Sequence, residues 1–317
     1  MVVAAEKELG LPVSTTVYGP GNTDATGTQM GALANRVLDE LRRMNRWVAQ
    51  QFEFNLVVDV PVNTTGNMAP QSHVISNIPD TSAIQANFWQ VSGPGIPVAA
   101  RVASVDSATQ VTMTMENTNT EALTGQAIQF QHDTYQIPAN FDYFNNQTMW
   151  DRTNRWSLIG PDSPQLDQWQ RSGIVSLGPR RHFRQLSPYS STFRIWPAPA
   201  EIVAPLQLVF EYLSLSAVQV NSGPTPTYAQ YFTNDMDTPL LDENAIVTGI
   251  KWMFWEAKGF GSYVTLQQRW VDYVERLAAR DGGAPTLAIV QRQNPLLISP
   301  SNTQDGYFPG PGGPSAP

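Results

Sequence analysis

The chain contains no cysteine, which excludes disulfides, thiolate zinc sites, iron–sulfur clusters and cysteine nucleophiles. Lysine is scarce: of the nineteen basic residues only Lys7, Lys251 and Lys258 are lysine. Charged residues make up 15% of the chain, against roughly 25% in an average soluble domain, and Asn, Gln, Thr and Ser take their place. The three histidines, His73, His132 and His182, lie far apart and form neither an HExxH nor a His-x-His pattern, so no metal or other cofactor is expected. No GxSxG, phosphate-binding P-loop or GxGxxG after a strand occurs, and Gly93-Pro-Gly95 and Gly310-Pro-Gly-Gly313 are Pro-interrupted turns. No apolar run approaches the ~18 residues that a membrane span needs. The opening residues, Met1-Val-Val-Ala-Ala-Glu-Lys-Glu, lack the basic and apolar blocks of a signal peptide. A net charge of -8 argues against a sequence-reading DNA binder, which would carry a basic face.

What is present is an apolar fraction of 41% over 317 residues, enough for one large domain or two small ones at about 150 residues each. The basic residues are almost all arginine, whose planar fork suits buried or interfacial carboxylates better than a solvated surface. Codon bias would give the same excess, so it points to interfaces without establishing them.

The clearest periodicity is helical. After Asp24 as N-cap, Met30, Leu33, Ala34, Val37, Leu38, Leu41, Met44, Trp47 and Val48 recur at three- and four-residue steps, predicting one long helix. A helical hairpin is predicted over 241–258 and 262–280, broken at Gly259-Phe-Gly261 and ended by Asp281-Gly-Gly283. Ser163 followed by Pro164 predicts a short helix over 163–172, and residues 4–9 allow one helical turn. Strands are predicted at 51–60, 98–105, 109–115, 126–131, 135–141 and 206–213. Residues 62–97 are rich in Pro, Asn, Gly, Ser and Thr and carry no clear period. Residues 284–317 hold seven prolines and cannot form a core alone.

The resulting expectation is an α+β fold: a helical bundle core, made of the long N-terminal helix and the C-terminal hairpin, with an inserted β-rich module and an extended C-terminal tail. The boundaries are 1–61 with 135–283 for a helical and mixed core, 62–134 for the insert, and 284–317 for a docking tail.

Candidate chemistry is sparse. Asp142, Asp151, Asp162 and Asp167 could supply a carboxylate pair for glycoside hydrolysis, but Arg152, Arg155 and Arg171 sit among them and favour ion pairs. Residues 171–194 carry Arg171, Arg180, Arg181, Arg184 and Arg194 with no acidic residue. Such a segment suits a protein interface, or a non-specific contact with a DNA backbone, which carries no sequence information. Leu296, Leu297, Ile298, Tyr307 and Phe308 would be wasted in a solvated tail and are candidate partner contacts.

Several stretches together resemble one family. Tyr135-Gln-Ile-Pro-Ala-Asn-Phe141, Trp150-Asp-Arg152 and Gly160-Pro-Asp-Ser-Pro-Gln-Leu-Asp-Gln-Trp169 follow in order, then Phe193-Arg-Ile-Trp-Pro-Ala-Pro199 and Leu208-Val-Phe-Glu-Tyr212. Upstream, Glu8-Leu-Gly-Leu-Pro12, Asn22-Thr-Asp24 and the helix ending at Trp47 match, as does Arg101-Val-Ala-Ser-Val-Asp-Ser-Ala-Thr-Gln-Val-Thr112. These resemble the head-to-tail adaptor, or head-completion, proteins of tailed bacteriophages, especially short-tailed ones. Ile137 stands where that pattern has Leu, and Asn140 where it has Asp. The resemblance covers most of residues 5–280 and is lost in 62–97 and after 284.

The resemblance implies a non-enzymatic structural protein of the virion neck, made in the host cytoplasm. It implies a ring of about twelve copies with the portal protein on one side and the tail tube or nozzle on the other. Double-stranded DNA would pass through the ring without being read, and no membrane is involved. The tail residues named above would grip a partner, while Arg152, Arg155, Arg171, Arg180, Arg181 and Arg184 are candidates for contacts between copies. The rival readings are a virion-associated peptidoglycan hydrolase and a receptor-binding β protein of the tail.

Overall fold

A computed structural model describes residues 1–19, 22, 24–172, 181–187, 192–221 and 227–281. The tail residues Leu296, Leu297, Ile298, Tyr307 and Phe308, and Arg180, lie outside these.

In chain order the elements begin with α1 (Val2–Leu9), α2 (Ala25–Met44), β1 (Gln51–Val58), β2 (Val62–Met68), β3 (Val74–Ser76), β4 (Trp89–Ser92), β5 (Val102–Ser107), β6 (Gln110–Met113) and β7 (Leu123–His132). There follow β8 (Thr134–Gln136), β9 (Phe141–Phe144), β10 (Trp150–Asp151), β11 (Trp156–Ser157), α3 (Pro164–Gln170), β12 (His182–Ser187) and β13 (Thr192–Trp196). The last are β14 (Leu206–Ser214), β15 (Val218–Val220), β16 (Thr227–Ala229), β17 (Thr238–Pro239), α4 (Glu243–Ala257) and α5 (Tyr263–Asp281).

The fold-class expectation is corrected by this count. Among the described residues there are seventeen strands in four sheets and five α-helices. The chain is mostly β, not a helical bundle core carrying one β insert. Strands occur throughout, including β15, β16 and β17, where the sequence predicts none. The physical reason is that many strands are two to four residues long and polar, too short for a period-two pattern, whereas long helices dominate any periodicity count.

Contacts divide the chain into two compact units. The first takes Met1–Phe52, Asn140–Tyr143 and residues 212–281. The Asp24 side chain accepts hydrogen bonds from the Thr26 and Gly27 amides and starts α2, satisfying donors that have no partner inside the helix. The helix stops at Met44, short of the expected Trp47, because Asn45 is extended. Trp47 instead folds back and donates from Nε1 to the Leu41 carbonyl at 2.7 Å. Met30, Leu33, Ala34, Val37, Leu38 and Leu41 of α2 are buried with Ile246, Ile250, Met253 and Trp270 of α4 and α5. Gly249 permits this packing: a Cβ there would meet the Val37 methyls at 2.5 and 2.9 Å. Gly10, left-handed at φ 68°, ends α1, a conformation that costs glycine little.

The second unit takes Glu53–Ala139 and Phe144–Glu211. Its largest sheet has the order β4-β7-β2-β3-β6-β5. Val62 pairs with Phe130 and Thr64 with Ile128, and Val91 pairs with Phe130 from the other side. The core under this sheet is Met68, Ile75, Ile78, Val91, Val102, Val111, Met113, Ile128 and Phe130. A three-stranded sheet of order β12-β13-β8 carries the candidate site.

Candidate functional site

In β12 and β13, arginines alternate with apolar residues: Phe183-Arg184 on one strand and Phe193-Arg194-Ile195 on the other. Alternation sends the two kinds of side chain to opposite faces. Phe183, Phe193 and Ile195 are accordingly buried in the apolar core. The antiparallel register sets Arg184 directly opposite Arg194, and Arg194 opposite Thr134 of β8. Two like charges in cross-strand register repel each other, so this row needs anions nearby.

Two carboxylates supply them. Asp167 projects from α3, which is started by the Ser163 side chain accepting from the Leu166 amide. Its Oδ2 lies 2.6 Å from Arg184 Nη1, 3.9 Å from Arg194 Nη1 and 4.0 Å from Arg171 Nη1. Asp133, fully buried, accepts from Arg101 Nη1 at 2.7 Å and from the Thr134 hydroxyl at 2.9 Å. Arg101 also donates to Thr134 Oγ1 at 2.8 Å and to the Asn87 carbonyl. Arg171 donates to the Ala99 carbonyl at 3.2 Å and lies over the Trp196 ring at 5.7 Å.

The cluster therefore joins four guanidiniums to two carboxylates. The arginine side chains are only 11–19% exposed. Burial, followed by the neighbouring Arg171 and Arg101 cations, pushes the Arg194 guanidinium down to about 10. Burial also lowers Arg171, partly offset by Asp167. At neutral pH both stay charged, because an arginine does not lose its proton under these conditions.

Of the six arginines singled out as interface candidates, the structure brings Arg171 and Arg184 together here, with Arg101 and Arg194, which were not among the six. Arg181 is largely buried: burial lowers it, Asp151 and Tyr135 counteract that, and its Nε is buried without a hydrogen-bond partner. Arg152 pairs with Glu53 at 2.7 Å on the surface, and Arg155 is exposed at a positive φ of 61°. A signal for Arg194 was present in the sequence. A hairpin that sets Phe183 opposite Ile195 pairs 184 with 194, and the alternation turns both arginines the same way.

Three of the four carboxylates that could supply a hydrolytic pair are engaged elsewhere, and Asp142 is exposed. Asp151 accepts from the Thr153 and Asn154 amides and the Asn154 side chain. Asp162 lies 3.0 Å from His182 Nδ1, and Asp167 is held by arginine. His132 stacks on Trp89 and sits 3.2 Å from Asp59, while His73 contacts the Met113 carbonyl. Among the described residues no group of three His, Asp or Glu side chains is placed to hold a metal ion.

Large apolar side chains remain at the surface. On α3, Leu166 and Trp169 are 37% and 57% exposed, three residues apart and so on one face. Trp150 and Ile159 are exposed in the same unit, and Phe260 and Val264 at the turn between α4 and α5 in the other. No protein-family model matches the chain, and no curated protein matches it.

Proposed function

We propose that this protein is a structural subunit of a phage neck: a ring-forming adaptor that joins the portal to the tail tube or nozzle and seals the packaged genome. The observation that carries the reading is Trp169. It closes the Gly160-Pro-Asp-Ser-Pro-Gln stretch on which the resemblance rests, yet it is 57% exposed. Most other residues of that resemblance have evident work inside the fold. Tyr135, Ile137, Phe193 and Trp196 are core, Ser163 caps α3, and Asp151 binds the turn after β10. A tryptophan left in water beside Leu166 is the chemistry of a contact with another chain, since aromatic anchors dominate interfaces. A closed ring needs such contacts between unlike faces of neighbouring copies.

In this reading the ring sits in the virion, meets the portal and the tail protein on its two sides, and lets duplex DNA pass. The experiment is to mix the purified chain with portal rings and image the product by cryo-EM. The expected result is a ring of about twelve copies on the portal, formed by a chain that is monomeric alone. A Leu166→Asp/Trp169→Asp variant with unchanged circular dichroism should fail to close the ring, and deletion of 285–317 should abolish attachment to the portal. Wild-type chain that stays monomeric at saturating portal, or that clears purified cell wall, would overturn the proposal.

A further inference from the structure

We propose that the Arg101–Arg171–Arg184–Arg194 cluster holds one small divalent oxyanion of the phosphate or sulfate class as a structural counter-ion. Three observations lead there, and none depends on the ring reading. The first is charge. Four guanidiniums face two carboxylates, Asp133 and Asp167, and these are the only anions acting on Arg194 and Arg171 among the described residues. Two positive charges are left over in a site where each arginine side chain is at least four-fifths buried. An unpaired buried charge is among the least stable features a fold can carry.

The second observation is unspent donors. Arg194 Nε and Nη1 and Arg171 Nε are buried with no hydrogen-bond partner. Asp167 cannot serve them, because its near oxygen is taken by Arg184 at 2.6 Å and stands 3.9 and 4.0 Å from the other two. Guanidinium forks with free buried donors on β13 and at the C-terminal end of α3 ask for an acceptor with several oxygens at tetrahedral angles, which a spherical halide does not offer. The charge of phosphate or sulfate also equals the excess.

The third observation is the absence of an internal substitute. Residues 171–194 contain no Asp or Glu, and of the residues outside the described set only Asp305 is acidic. The chain therefore has one side chain, at most, that could replace an external anion.

The test uses the full chain, exchanged exhaustively into chloride buffer, with thermal unfolding followed as sulfate or phosphate replaces chloride at constant ionic strength. Wild type should gain about 5 °C once the anion reaches about 100 times its Kd, a shift that follows from ligand linkage for a chain of this size. Arg194→Met should lose that gain, while Arg280→Met, on exposed α5, should keep it. The comparison removes the general stabilisation that excluded anions give every protein. Ion chromatography of acid-denatured, freshly purified wild type should find about one phosphate or sulfate per chain, and this readout stands even if Arg194→Met does not fold. Equal responses in wild type and Arg194→Met, or no retained oxyanion together with no selective gain, would overturn the proposal. So would a gain that appears only in Asp305→Asn, which would make Asp305 the counter-ion.

Discussion

Asp167 carries a charge on which the arginine cluster of the second unit depends. It is 3% exposed and stands within 4.0 Å of three guanidiniums. Asparagine keeps its shape and one acceptor but removes the charge, leaving Asp133 as the one carboxylate facing four cations. At an effective dielectric near 20, unit charges 4 Å apart attract by about 4 kcal/mol. The contacts to Arg194 and Arg171, at 3.9 and 4.0 Å, are gross terms of that size, and the contact to Arg184 at 2.6 Å is larger. Desolvation of the carboxylate offsets most of the sum, and breaking one partner of a buried pair typically costs about 3–5 kcal/mol. We therefore expect Asp167→Asn to destabilise the unit by about 4 kcal/mol, well above the ~1 kcal/mol of an average substitution. Equilibrium urea unfolding, followed by tryptophan fluorescence and circular dichroism together, would measure it. The double variant Asp167→Asn/Arg194→Met should recover part of the loss, because it removes a cation that has lost its partner. An Asp167→Asn chain within about 1 kcal/mol of wild type, or a double variant that shows the plain sum of both losses, would refute the reasoning.

Two further outcomes follow from the first unit. Gly249→Ala gains about 1 kcal/mol of helix propensity, but its Cβ would press on Val37 and on Trp270 Nε1 at 3.0 Å. Val37 is fully buried and stiff at χ1, and Trp270 is tied to the Ala245 carbonyl at 2.8 Å. Overpacking of about 1–3 kcal/mol therefore wins, and a Tm that rose in this variant would count against the packing described. Asp24 is held below the usual carboxylate range by the Thr26 and Gly27 amides and the Ser14 hydroxyl. As pH falls the unfolded chain takes up this proton first. The contribution is thus complete above the ordinary value of about 3.9 and is lost as pH falls through the lowered one. Asp24→Asn should flatten this acid limb when melting is followed from about pH 5 to about pH 3, and an unchanged limb would remove the linkage.

How much of this was legible in the sequence depends on what kind of signal each element leaves. Helix α2 was legible because a 20-residue amphipathic stripe behind an Asp cap has few competing explanations. Strand β2 was not. Its residues, Val-Asn-Thr-Thr-Gly-Asn-Met, bury only Gly66 and Met68, and its place in the sheet comes from pairing with β7, some sixty residues away. Gly66 is small there because a Cβ would meet Ile75 and Ile128 at 2.7 and 2.8 Å, a constraint set wholly by tertiary neighbours. Strand β4 hides in the same way, since Gln90 is buried between Trp89 and Val91 and breaks the apolar count. The fold class was misjudged because such strands are made by their partners.

The arginines show the same lesson at the level of charge. Read along the chain, 171–194 is a basic segment without a counter-ion and suits an interface or a DNA backbone. In space, Arg184 and Arg171 share Asp167 with Arg194, and Arg181 is drawn into a largely buried site near Asp151. For these residues to bind phosphates of a duplex they would have to leave carboxylates that already hold them, at a cost larger than one exposed phosphate contact returns. The segment's basicity is therefore not a DNA footprint among the described residues. The surface that remains belongs to a chain of net charge -8. A duplex moving past such a surface meets repulsion of like sign, which would let a ring of these subunits, as proposed, pass DNA without holding it.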